Sequence, residues 1–200
     1  MNKMELAFPL RATFLALPLD DEAKQSFQKL QNRLKPYDAM FHFQNADTPH
    51  LTLKYWPTVM DIEHRQIVEQ AAKIAARQQP FVLKVTGAET FGERGMDRVL
   101  FLSVAFSPEL AKVKKDCPWS DGKPFAPHIT LAWIRHQGKF RVQKKKIMKL
   151  LSDASFEITF DRLRLYAEIE ERKQTPLGDF FFEREYKSTG IQEYKDEFSG

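Results

Sequence analysis

The chain reads as an α+β fold of two similar lobes. Three observations point there: strand-like and helix-like segments alternate along the sequence, one pentapeptide occurs twice, and the apolar content is ample. Of 200 residues, 42% are apolar, 12% are aromatic and seventeen are Phe, which suits one domain or two small lobes with a sizeable core. The expectation is two pseudo-symmetric antiparallel β-sheets flanked by helices, with a central cleft. Residues 1–188 would form this single bilobal domain, and residues 189–200, polar and without periodicity, a loosely ordered C-terminal tail.

Residues 11–17 (RATFLAL) read as a first strand. Asp20 starts a helix in which Ala23, Phe27, Leu30 and Leu34 recur at helical spacing until Pro36 stops it. Residues 39–43 alternate weakly, Asn45-Ala46-Asp47 reads as a turn, and Pro49 leads into HLTLKYW, expected to end at Pro57. Residues 60–78 carry Ile62, Ile67, Val68, Ala71, Ala72 and Ile74 between charges, an amphipathic helix closed by Pro80. Residues 81–85 and 98–106 are β-rich, with Gly87, Gly92 and Gly95 marking turns between them. A short helical link is expected after Pro108, and residues 124–127 lead into HITLAWI. A basic helix follows from about residue 139 to 151, then a long strand pattern, FEITFDRLRLYAEI, and a last strand, FFFEREY, after Gly178.

Bulk properties exclude several classes. Lys3 precedes an apolar stretch, but Arg11, Pro9 and Pro18 interrupt it and no small-residue cleavage site follows, which argues against a secretion signal. Nowhere do 18 uncharged apolar residues run together, so no membrane span is expected, and the reading is cytoplasmic. The single Cys117 can form no internal disulfide and no Cys-based metal framework. A net charge of +4 tolerates an anionic partner without demanding one, and no obligate protein partner is evident.

The feature that carries chemistry is internal: Pro49-His50-Leu51-Thr52-Leu53 recurs as Pro127-His128-Ile129-Thr130-Leu131. The chain holds five His and eleven Pro, so chance repetition is remote and a repeated structural unit is implied. In a strand, alternate side chains share a face, so His50 with Thr52, and His128 with Thr130, face away from the aliphatic residues between them. One such strand is usually ordinary sheet surface; a pair across a cleft makes a site. Two imidazoles and two hydroxyls suit displacement at phosphorus, where one His takes a proton, the other gives one, and the Thr hydroxyls donate to non-bridging oxygens. No metal or cofactor is called for, since His42, His64 and His136 lack ligand spacing, His64 beside Glu63 being weak. Trp56, Trp133 and Phe125 lie near the motifs and could stack on a base, Tyr166 could offer a cleft hydroxyl, and Lys144-Lys145-Lys146 reads as a solvated helix face.

The two motifs resemble those of the 2H phosphoesterase superfamily, specifically its LigT-like members, the 2'-5' RNA ligases or RNA 2',3'-cyclic phosphodiesterases. Residues 14–17 look like that family's first strand, residues 87–91 with VLFLSV its central hairpin, and residues 163–166 with 178–180 its closing strand pair. The resemblance implies a metal-independent phosphoesterase that hydrolyses an RNA 2',3'-cyclic phosphate by two-histidine acid-base catalysis, with reversible 2'-5' ligation as a further implication. His50, His128, Thr52 and Thr130 would be catalytic; the resemblance does not say which His is the base. The alternatives are a phosphodiesterase for 2',5'-linked oligonucleotides or a smaller cyclic phosphate, and a nucleotide- or RNA-binding module that keeps the cleft without turnover. Trp133 stands where LigT-like proteins often carry Arg. Lys54, on the same strand face as His50 and Thr52, or Arg135, pointing away if its strand stays regular, could replace that phosphate contact. Lys54, Arg135, Tyr166 and Trp133 are therefore the candidate substrate-binding residues.

Overall fold

The computed structural model describes residues 6–93, 96–119, 122 and 124–183. Its strands are β1 (Leu10–Pro18), β2 (Phe41–Phe43), β3 (His50–Val59), β4 (Phe81–Glu93), β5 (Met96–Val104), β6 (His128–Ile134), β7 (Phe156–Phe160), β8 (Arg162–Ile169) and β9 (Arg172–Phe181). The helices are α1 (Asp21–Leu34), α2 (Asp61–Ala75), α3 (Pro108–Asp116) and α4 (Gln137–Leu150). Among the described residues the strands run in the order β7-β4-β5-β6-β3-β1-β8-β9, with β2 beside β6. Every pair is antiparallel.

The two expected sheets are thus two four-stranded wings of one sheet. The wings meet where β3 and β6 pair through Leu51↔Ile129. Read outward from that seam, they are β3-β1-β8-β9 and β6-β5-β4-β7, so each wing places its His-x-Thr strand innermost. Leu51, Leu53, Ile129 and Leu131 are buried, each contributing roughly 1.5–3 kcal/mol relative to exposure. Helix α1 lies on β7 and α4, and α2 on β8 and β9. Asp20 caps α1 by accepting from the Ala23 N–H at 2.8 Å, and its second oxygen accepts from the Thr159 N–H at 2.6 Å, tying the helix start to β7.

Several boundaries differ from expectation for definable reasons. Strand β3 continues through Pro57, because beyond the Leu51 bridge it pairs with β1 alone and its other edge needs no N–H there. Gly87 and Gly92 lie inside β4 rather than in turns. At Gly92 the returning strand comes so close that a Cβ would stand 1.9 Å from the Met96 carbonyl oxygen, so only glycine fits. The long pattern after residue 156 is two strands, β7 closing one wing and β8 joining the other, divided at Asp161. Strand β9 begins at Arg172, well before Gly178. Gly95, the end of FFFEREY and the 189–200 tail lie outside the described residues.

Candidate active site

Both motif histidines follow a proline. Proline drives its predecessor into extended backbone, and that predecessor's carbonyl is where each imidazole anchors: His50 Nδ1 lies 2.7 Å from the Thr48 carbonyl oxygen, and His128 Nδ1 lies 2.9 Å from that of Ala126. A carbonyl only accepts, so Nδ1 carries the proton in both rings and Nε2 is left for whatever enters the cleft. From the Leu51↔Ile129 bridge, antiparallel pairing sets His50 toward Thr130 and Thr52 toward His128. His50, Thr52 and Thr130 line one cavity of about 210 Å³ together with Phe14, Tyr55, Trp133, Lys173 and Gln174.

Each motif is followed by the same backbone device. The register of β1 against β3 slips between Leu15 and Ala16, leaving Leu53 as an extra residue between Thr52 and Lys54. The register of β5 against β6 slips between Leu100 and Phe101, leaving Leu131 extra between Thr130 and Ala132. A bulge reverses which side chains face the cleft. Tyr55 and Trp133, each five positions after its His, are therefore the residues that line the cavity.

The two imidazoles sit in different surroundings. His50 is buried, stacked on Phe14 at 4.6 Å between ring centres, with Tyr166 packed against both rings, 4.8 Å from Phe14 and 5.4 Å from His50. Burial pushes the His50 pKa down to about 4, the Thr48 carbonyl resisting the fall and the neighbouring His128 adding to it. His128 is half-buried and meets Phe91 and Phe101 edge-on, at 4.9 and 5.6 Å.

Of the candidate substrate-binding residues, Trp133 is a wall of the cavity. Lys54 is displaced from the face of His50 and Thr52 by the bulge and pairs opposite Leu15. Arg135 lies just past β6, its Nη2 3.0 Å from His42 Nδ1, and His42 packs on Trp133. Tyr166 is fully buried with its ring against His50 and Phe14, and it lines a separate cavity with Arg162 and Arg164 rather than the one that holds His50. Lys144 is held by Asp97 at 2.9 Å and ties α4 to β5. Sequence reasoning missed Gln44, Lys173, Gln174 and Tyr55. The signal for Tyr55 was present, since an aromatic stands at the same offset after both histidines; Gln44, Lys173 and Gln174 carry none. Among the described residues no group of three or more His, Cys, Asp or Glu is placed to hold a metal ion, and no helix is long and apolar enough to cross a membrane.

Residues 17–101, which include the first motif, match the LigT like phosphoesterase family. Among solved structures, TT0787 of Thermus thermophilus superposes with a TM-score of 0.66 at 21% identity, covering 88% of this chain and 100% of that one. Escherichia coli LigT in complex with NADP+ superposes with a TM-score of 0.65 at 20% identity, covering 87% and 98%. Fold and family model agree: residues 17–101 match the LigT-like phosphoesterase family, and the chain has the fold of LigT. A relative named RNA 2',3'-cyclic phosphodiesterase, from Geobacillus stearothermophilus, is 30% identical to this chain over 148 residues. That match takes in 68% of the chain and 46% of the relative, so the chain spans about half of the relative's length.

Proposed function

We propose that this domain, residues 1–188, opens RNA 2',3'-cyclic phosphates in the cytoplasm, with His50 as general base and His128 as general acid. The observation that carries the reading is the identical anchoring of both imidazoles through Nδ1, which leaves both Nε2 atoms free, with His128 close enough for its charge to act on His50. His50, with its pKa held near 4, is neutral at pH 7 and takes the proton from the attacking water. As the P–O bond to one ribose oxygen breaks, His128 delivers a proton to that oxygen, leaving a phosphomonoester and a free hydroxyl. Thr52 and Thr130 donate to the non-bridging oxygens. Lys173, on the cavity wall, supplies the positive charge that the resemblance would place at Trp133. With both proton transfers assigned to histidines, the reaction needs no metal.

An RNA end is favoured over a small cyclic phosphate by what adjoins the cavity. A larger space of about 860 Å³ shares Gln44, Trp133, Lys173 and Gln174 with it and adds His42 and Arg172. That is room for the next nucleotide, with the Trp133 and His42 rings for stacking and Arg172 for its phosphate. The activity for which the Geobacillus relative is named supports the same substrate. The test is turnover of a short RNA ending in a 2',3'-cyclic phosphate, with EDTA present. Wild type should hydrolyse it, and His50→Ala and His128→Ala should each lose on the order of 10²–10⁴-fold. Unaltered rates in both variants would overturn the mechanism.

A further inference from the structure

The space behind His50 is polar and fully engaged. His50 Nδ1 donates to the Thr48 carbonyl at 2.7 Å, the Thr48 hydroxyl donates to Gln174 Oε1 at 2.7 Å, and Gln174 Nε2 donates to Gln44 Oε1 at 2.9 Å. Gln44 Nε2 packs 3.4 Å from His50 Nδ1, a contact between two N–H groups and not a hydrogen bond. Gln44 is itself immobilised, its carbonyl accepting from Gln31 Nε2 at 2.8 Å and its N–H donating to the carbonyl of the bulged Leu131 at 3.0 Å. Of the four members, Gln174 alone comes from the far edge of the sheet. It also carries φ +61°, a left-handed backbone that side-chain-bearing residues keep only where the surroundings hold them.

We propose that Gln174 is a positioning residue for His50: its amide bonds both Thr48 and Gln44, the two residues that lie against His50 Nδ1, and so fixes the plane of the imidazole that faces the phosphorus. The proposal deepens the reading of His50 as general base and rests on it. Without the Gln174 amide, Gln44 loses the partner that sets its last side-chain torsion and the Thr48 hydroxyl loses its acceptor. The imidazole keeps its hydrogen bond to Thr48 and the stack on Phe14, but the two residues against its Nδ1 edge loosen, which leaves it room to tilt. Gln174 follows Lys173 on β9, so one short segment brings a cation to the cavity and steadies the base beside it.

The test uses two substitutions at Gln174 with the cyclic-phosphate RNA as substrate. Gln174→Gly removes the amide and suits the left-handed backbone, so the folding midpoint should hold or rise. Yet kcat should fall by about tenfold with KM within about twofold, the mark of lost orientation. Gln174→Glu keeps an acceptor for Thr48, and the Gln44 amide can turn to donate to it. The groups already facing His50 are His128 from β6 and Tyr166 from β8, with Lys173 of β9 on the same cavity. A carboxylate added to that set should largely restore kcat and move the acid limb of kcat/KM upward. A Gln174→Gly enzyme with wild-type kcat, or a Gln174→Glu enzyme with an unmoved acid limb, would overturn the proposal. The His50→Ala variant in the same assay separates the two levels. If it is inactive while Gln174→Gly is normal, positioning alone fails; if it retains the wild-type rate, the base assignment fails first.

Discussion

The two halves of the cleft share a backbone and differ in packing. Each has a proline before its histidine, a carbonyl two residues back holding Nδ1, a bulge after its threonine and an aromatic turned inward by that bulge. Each also backs its histidine with two rings from the adjoining strands of its wing: Phe14 and Tyr166 for His50, Phe101 and Phe91 for His128. On one side the rings lie face to face and seal His50 from water; on the other they meet His128 edge-on and leave it half-buried. A repeated pentapeptide can therefore build a symmetric scaffold while packing makes the two imidazoles chemically unequal. That inequality is what acid-base catalysis requires, since a base and an acid must stand in opposite protonation states.

The comparison can be broken first at its shared core. Leu51→Ala and Ile129→Ala remove opposite members of the seam between the wings, and each should cost about 2–5 kcal/mol in urea unfolding. A loss under 1 kcal/mol in either would mean that the wings hold together by other contacts. Acid stability should then report the burial of His50. In the unfolded chain His50 takes up its proton near pH 6.5, whereas folded His50 resists until about pH 4. Between those values the unfolded state binds more protons, so stability falls as pH falls, by up to about 3 kcal/mol. His50→Gln should flatten that decline, and an undiminished decline in that variant would contradict the burial of a neutral His50. The smallest effect concerns the two inward aromatics. Trp133→Ala should weaken substrate binding by about 1–3 kcal/mol, read as a rise in KM, if a base stacks on it. Tyr55→Ala, in the smaller cavity only, should do less on an RNA substrate than on a cyclic mononucleotide.

What was legible in the sequence follows from how locally each feature is determined. The motif strands were readable because Leu51, Leu53, Ile129 and Leu131 mark the core face, and the histidines and threonines fall opposite by simple alternation. The bulges were not, because neither Leu53 nor Leu131 is flanked by glycine or proline; the slip is set by registry with β1 and β5. Lys54 was misplaced for that reason alone. The division between β7 and β8 did leave a sign, since the period-two pattern slips by one residue at Asp161, from Phe156, Ile158 and Phe160 to Leu163, Leu165 and Ala167, and a reading as one strand passes over it. The support beside His50 was invisible, because Gln174 and Gln44 lie 130 positions apart and meet only when β9 folds beside the cleft.

The central claim is that His50 takes a proton and His128 gives one. It is tested most directly by pairing a natural substrate with one whose leaving group needs no proton, such as bis(p-nitrophenyl) phosphate. The expected result is that His128→Ala is severely impaired on the cyclic-phosphate RNA but recovers most of its rate on the activated diester, while His50→Ala is impaired on both. Recovery by His50→Ala instead, or equal losses for both variants on both substrates, would contradict the assignment.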